Sequence, residues 1–195
     1  CGNSASGRRL ESKSRMRREF HVRFREGPGV RFPRATRLVG GDTNFQRDVF
    51  VHDHQSGAME RVSVDSSGAQ GNSISSTVSI SGDGRYVAFL SLASNLVGGD
   101  TNGAADIFVH DRQAASTERV SVDSSGAEGN SSSLDPAISA DGRYVGFGSG
   151  ANNLVSGDTN AVGDVFVRDR SAGIGWKYCS ANANSSGSPA DLSAS

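Results

Sequence analysis

The sequence predicts an all-β fold built from repeated antiparallel sheets, and three motifs that recur at one interval carry this prediction. Each motif returns after 58 residues: Asp-Thr-Asn at 42–44, 100–102 and 158–160, Asp-Gly-Arg-Tyr-Val at 83–87 and 141–145, and Glu-Arg-Val-Ser-Val-Asp at 60–65 and 118–123. A fixed period shared by separate motifs indicates a repeat architecture. The 25 glycines and the low aromatic fraction of 7% suit short strands joined by many turns.

One repeat contains four short stretches with strand character. Apolar and polar residues alternate up to Ile80, and the Asp83-Gly84 pair that follows is a strong hairpin signal. The four predicted strands are marked by Val78 and Ile80, by residues 86–90, by residues 107–109, and by Val120 and Val122. No helical period occurs between these strands, and the next repeat has the same order of strands. Four antiparallel strands per repeat describe a β-propeller blade.

The period divides the chain into about three blades. The predicted divisions are 1–37 for a basic arm with the degenerate start of blade 1 (strands at 20–24 and 30–32), 38–75 for the rest of blade 1, 76–133 for blade 2, 134–182 for blade 3, and 183–195 for a Ser-rich tail. Propellers typically close with about four to eight blades, so three blades do not form a ring. We expect a second copy of the chain to complete a six-bladed ring, and the alternative is that the chain is a fragment of a larger protein.

The charge of the chain is distributed unevenly. Residues 1–37 carry eleven Lys and Arg residues against three Glu, whereas residues 38–195 carry nine basic and eighteen acidic residues. The acidic repeat region favours cations over nucleic acid. The basic arm contains no recognised nucleic-acid-binding motif, and no apolar run approaches the roughly 18 residues of a membrane span. Nucleic acid and membrane are therefore not expected partners.

Two segments of the repeat carry a resemblance to a known family. SGDGRYVAF at 81–89 and SADGRYVGF at 139–147 resemble the SPDGRYVAF motif of TolB-type, WD-like propeller repeats, and DIFVHD at 106–111 resembles the family's partner motif. The resemblance covers roughly residues 38–178. It implies a propeller scaffold whose relatives mostly bind proteins, peptides or glycans, and it brings no catalytic residue with it.

The same resemblance suggests where the protein acts. Blades with an inserted loop of the NLVxGDTN type look like those of large secreted bacterial proteins. The segment 178–195 is similar to the opening of a β-rich module found downstream in such proteins. The resemblance therefore implies a secreted, extracellular or periplasmic location and a small polar ligand, glycan, peptide or protein as partner.

The Asp-Thr-Asn-x-x-x-Asp loop is the candidate metal site. It places oxygen-bearing side chains at its first, third and seventh positions, and calcium takes six to eight oxygen ligands. The candidate ligands are Asp42, Asn44 and Asp48, Asp100, Asn102 and Asp106, and Asp158, Asn160 and Asp164. The competing interpretation is that Asp and Asn cap turns through hydrogen bonds to the backbone, and both stay open.

His52 and His110 are the candidate catalytic residues, because a His beside an Asp invites zinc or general-base chemistry. Arg168 occupies their position in the third repeat, which favours a surface or blade-edge role instead. The sequence thus leads first to a non-catalytic scaffold or binding module of a larger secreted bacterial protein, with calcium as its candidate ligand. The alternative is a calcium-dependent propeller hydrolase of the phosphotriesterase or lactonase type, with its site formed in the assembled ring.

Overall fold

The computed structural model describes residues 41–159 and 162–171, and the backbone of 176–179. This part of the chain is all-β, and it holds no helix with the length and apolar character needed to cross a membrane. The basic arm 1–37, its predicted strands at 20–24 and 30–32, and the Ser-rich tail 183–195 lie outside the described residues.

Ten strands form three antiparallel sheets. They are β1 (Phe50–His52), β2 (Met59–Arg61), β3 (Ser75–Ile80), β4 (Tyr86–Ser91), β5 (Asp106–Asp111), β6 (Ser116–Arg119), β7 (Ser133–Ile138), β8 (Tyr144–Ser149), β9 (Asp164–Asp169) and β10 (Trp176–Cys179). The first sheet is β1–β2, the second is β3–β4–β5–β6 and the third is β7–β8–β9–β10. Each four-stranded sheet is a meander of neighbours in sequence. The predicted fold of propeller blades is confirmed.

The fourth strand of the repeat ends earlier than the sequence suggested. β6 stops at Arg119, and Val120 and Val122 follow it. The cause is a turn around Asp123, whose carboxylate accepts hydrogen bonds from the backbone amides of Ser125 (2.7 Å) and Ala127 (2.8 Å). Valines that resemble strand residues are therefore core residues of the connection: the Val120 side chain is fully buried.

Sheets pack face to face through β5, which is buried along its whole length. Successive side chains of a strand point to opposite faces, so Phe108 contacts the first interface while Ile107 and Val109 contact the second. Toward the first sheet the core comprises Val49, Val62, Val87, Phe89, Ala93, Leu96 and Phe108. Toward the third sheet it comprises Ala88, Ile107, Val109, Val120, Val145, Phe147, Ala151, Leu154 and Phe166. Each fully buried large side chain contributes about 1.5–3 kcal/mol.

Ion pairs join the sheets at their edges. Arg112 donates from Nε to Glu60 of the first sheet (2.7 Å) and from Nη1 to the Gly84 carbonyl (2.7 Å). One repeat later Arg170 makes the same contacts with Glu118 (2.6 Å) and the Gly142 carbonyl. A guanidinium held by a carboxylate and a carbonyl fixes the angle between neighbouring sheets.

A second set of arginines pairs within the second and third sheets, where Arg143 binds Asp169 as Arg85 binds Asp111. Arg85 donates two hydrogen bonds to Asp111 (2.9 and 2.7 Å), which lies in the same sheet. The reason is the antiparallel register, which places Tyr86 opposite Asp111. The hydrogen bonds from Arg85 lower the pKa of Asp111 to about 2.

Candidate functional site

The asparagines of the Asp-Thr-Asn loops are used to hold the backbone. Asn102 donates from Nδ2 to the Gly129 carbonyl (2.7 Å) and accepts at Oδ1 from the Ala104 amide (2.6 Å). Asn44 makes the equivalent bonds one repeat earlier. Both polar atoms of each side chain are therefore engaged, which is the turn-capping arrangement. The loop is fixed to the segment that follows the last strand of its own repeat.

The aspartates of the second loop do converge, and they meet two residues that sequence reasoning did not single out. Carboxylate oxygens of Asp100, Asp106 and Glu128 lie within 4.8 Å of one another. The Arg119 Nη1 atom is 3.8 Å from Asp100, 3.2 Å from Asp106 and 2.7 Å from Glu128. Its side chain is only 6% exposed. Arg119 thus supplies the positive charge at the centre of this carboxylate cluster.

The cluster has an excess of negative charge, because three carboxylates share one guanidinium. Burial raises the pKa of Asp100, and the neighbouring charge of Asp106 raises it further. Burial also raises the pKa of Asp106, against the hydrogen bond from Ser121 and the charge of Arg119. Burial acts in the same direction on Glu128, but hydrogen bonds from Thr101 and Arg119 outweigh it and lower its pKa.

The first loop has a different balance of charge. Gln70 stands where the second repeat has Glu128, and its Nε2 donates to Asp42 (3.1 Å) and Asp48 (2.8 Å). Arg61 Nε lies 3.3 Å from Asp48, and Ser63 donates to the same carboxylate (2.9 Å). A neutral amide here joins the two carboxylates, and the Arg61 guanidinium contacts that of Asp48.

The third loop departs from both. Asp158 and Asp164 are described, with Asp164 3% exposed at the start of β9, while Asn160 lies outside the described residues. Arg61 pairs with Phe50 and Arg119 with Phe108, but the residue paired with Phe166 is Tyr178. No arginine occupies this register position in the third sheet.

The three loops therefore share a backbone role and differ in electrostatics. A divalent cation in the second cluster would have to displace the guanidinium of Arg119, because that group already contacts all three carboxylates. Calcium binding at the loops stays a prediction. Arg61, Arg119 and their serines could have been found from the sequence, since the Glu-Arg-Val-Ser motif recurs in phase with the aspartates.

The structure keeps the two candidate histidines apart. His52 is exposed on β1, with its ring 4.9 Å from that of His54. His110 is 3% exposed on β5, and its Nδ1 lies 2.8 Å from the Thr117 hydroxyl. That hydroxyl donates to the Val64 carbonyl (2.5 Å), so it accepts from His110, and Nδ1 carries the proton of the neutral ring. Nε2 is left as an acceptor, and burial lowers the pKa of His110.

His110 lines a polar groove between the first and second sheets. The cavity has a volume of about 440 Å³ and is bordered by Glu60, Arg61, Val64, Asp65, Ser66, Ser67, Gly68, His110 and Ala115. A second cavity of about 560 Å³ shares residues 65–67 with it and extends toward Asn95. Volumes of this size accommodate small molecules or side chains of a peptide.

Comparison with protein-family models gives no match, and comparison with curated proteins gives none either. Among solved structures, TolB from Acinetobacter baumannii is similar at 19% identity, covering 67% of this chain and 26% of TolB, with a TM-score of 0.42. A putative TolB from Agrobacterium tumefaciens is similar at 20% identity, covering 67% and 40%, with a TM-score of 0.43. The tricorn protease is similar at 19% identity, covering 64% and 12%, with a TM-score of 0.41. The chain spans less than half the length of each of these structures.

Proposed function

We propose that this chain is a non-catalytic β-propeller binding module. The observation that carries the proposal is the use of the recurring polar residues: Asn44 and Asn102 hold backbone, and Arg119 neutralises carboxylates within its own repeat. Side chains whose polar groups are bound within their own repeat make the scaffold rigid. Ligands are then bound by the residues that vary between repeats and by the grooves between sheets.

Calcium as a ligand of the module is part of this proposal. The carboxylate oxygens of Asp100, Asp106 and Glu128 are close enough to one another to share one ion. In the third repeat, Asp158 and Asp164 occur without an arginine at the register position of Arg119. We therefore expect the second and third loops to differ in calcium affinity.

The test of function combines metal analysis with two assays on the purified chain. Calcium titration followed by calorimetry, with Asp158→Asn and Asp100→Asn as matched variants, measures metal binding. Turnover of phosphotriesters and lactones before and after chelation measures catalysis. A binding module gives no turnover. Turnover that disappears on chelation and returns with calcium would favour the hydrolase alternative instead.

The proposed partners are proteins, peptides, glycans or small polar ligands, in a secreted or periplasmic setting. A second copy that completes a six-bladed ring is the proposed assembly. It is supported by the third sheet, where Val165 is 43% exposed although the equivalent Ile107 is fully buried by a neighbouring sheet. Sedimentation velocity over a range of concentrations checks this, since a monomer at all concentrations contradicts the ring.

A further inference from the structure

The groove between the first and second sheets has a counterpart 58 residues further along the chain. Glu60, Asp65 and His110 border the groove. The residues at the corresponding positions of the next interface are Glu118, Asp123 and Arg168. Two acidic residues are thus retained at both interfaces, while the residue that faces them changes from a histidine to an arginine.

At the second interface the arginine lies among the acids. Arg168 is half-buried on β9, and the charges of Glu118 and Asp123 raise its pKa against the larger lowering effect of burial. The two carboxylates thus act on the Arg168 guanidinium through their charge, while the direct partner of Glu118 is Arg170. His110 has a shorter side chain than an arginine, and it borders the cavity at the first interface.

The first groove presents hydrogen-bond acceptors that the described residues leave unused. Arg112 binds Oε2 of Glu60, and no described residue donates to Oε1. Ser67 and Ala69 donate to Oδ1 of Asp65, and no described residue donates to Oδ2. His110 is only 3% exposed, and its one hydrogen bond with a described residue is through Nδ1. Its Nε2 therefore offers a third acceptor toward the groove.

We propose that this groove binds a small organic cation with several N–H donors, a guanidinium or primary ammonium head group, between Glu60, Asp65 and His110. The ligand takes the place that the Arg168 side chain has at the next interface. The proposal rests on the binding role proposed above and specifies one site and one ligand class for it. An arginine or lysine side chain of a peptide would carry the required group.

The charges around the groove support a cation over an anion. The guanidinium of Arg61 lies beside Asp48, and that of Arg112 is held by Glu60 and the Gly84 carbonyl. Asp65 has no arginine partner among the described residues. The titratable and charged groups that face His110 are Glu60 and Arg61 from β2, Asp65 from the turn that follows, and Asp111 and Arg112 from the end of β5.

Binding of ethylguanidinium, with isosteric neutral ethylurea as control, tests the site. The readout is the imidazole C–H resonance of His110 in NMR spectra of the whole chain, assigned by its loss in His110→Gln. We expect ethylguanidinium to shift this resonance saturably in the millimolar range, and ethylurea to leave it unchanged. Asp65→Asn keeps the turn acceptor but removes the charge, and should weaken binding about tenfold.

Two further variants use the repeat itself as the control. His110→Arg should fill the groove and abolish the saturable shift, and Arg168→His should open a second site and double the stoichiometry measured by calorimetry. An unshifted His110 resonance, or equal shifts with ethylurea, overturns the proposal. So does a folded Arg168→His variant without a second site. Either result leaves the calcium and turnover tests of the binding module unaffected, so the two proposals fail separately.

Discussion

Replacement of Arg119 by methionine is the sharpest perturbation of the scaffold. The side chain keeps an apolar stem but loses the guanidinium that contacts Asp100, Asp106 and Glu128. Removal of one partner from a buried ion pair costs about 3–5 kcal/mol, because it leaves uncompensated buried charge. Asp106 is fully buried, and Arg119 is 6% exposed, so the full range applies.

The matched control is Arg61→Met in the first repeat. Arg61 lies 3.3 Å from a single carboxylate, Asp48, which keeps hydrogen bonds from Gln70 and Ser63 in the variant. The expected cost is about 1–3 kcal/mol, the range for leaving one buried polar group without its partner, because Arg61 contacts Asp48 as an ion pair and not through a hydrogen bond. Urea denaturation followed by circular dichroism measures both. Equal costs for the two arginines would refute the argument that the number of carboxylates decides the effect.

The pH dependence of Arg119→Met follows from the same cluster. The pKa values of Asp100 and Asp106 are already raised in the folded protein, and loss of Arg119 raises them further. A raised folded pKa means that the folded state binds more protons, so stability falls as pH rises through the folded value. The free energy of unfolding that Arg119→Met loses relative to the wild type should shrink as pH is lowered from neutral. Millimolar calcium should also stabilise the variant more than the wild-type chain, because only the variant leaves the second cluster free of the guanidinium. A loss of stability that does not depend on pH would contradict this account.

Two other substitutions test the interfaces between sheets. Gly142→Ala should cost about 2–4 kcal/mol, since φ is +72° and a Cβ would lie 2.1 Å from the Tyr86 ring. Gly84→Ala, with φ +73° and no contact closer than 3.7 Å, should cost only about 1–2 kcal/mol, and thermal denaturation compares them. The wild-type chain should lose stability as pH falls below about 6.5, because burial lowers the pKa of His110 in the folded state below its unfolded value. His110→Gln should remove this part of the pH dependence, and a pH profile of stability that the substitution leaves unchanged would disagree.

The repeat sheets could be predicted because the residues that form them recur in phase. Asp83-Gly84 fixes a hairpin locally, and the alternation of β5 follows from its apolar residues. The carboxylate cluster could not be predicted as such, because Glu128 lies 28 positions from Asp100 and is brought to it only by the sheet. The contacts of the Asn102 side chain could not be predicted either, because an asparagine in a loop can cap a turn or ligate a metal ion.

The departures from the repeat are more informative about function than the repeat itself. Positions such as Arg85 and Asn102 recur because every sheet needs the same ion pair and the same turn. The position of His110 holds His52 in the first repeat and Arg168 in the third, and Glu128 replaces Gln70 in the second repeat; each exchange alters charge without altering the fold. A scaffold that tolerates such exchanges can vary its grooves independently of its core. The sites at which the copies differ in charge are therefore the ones where ligand specificity should be sought.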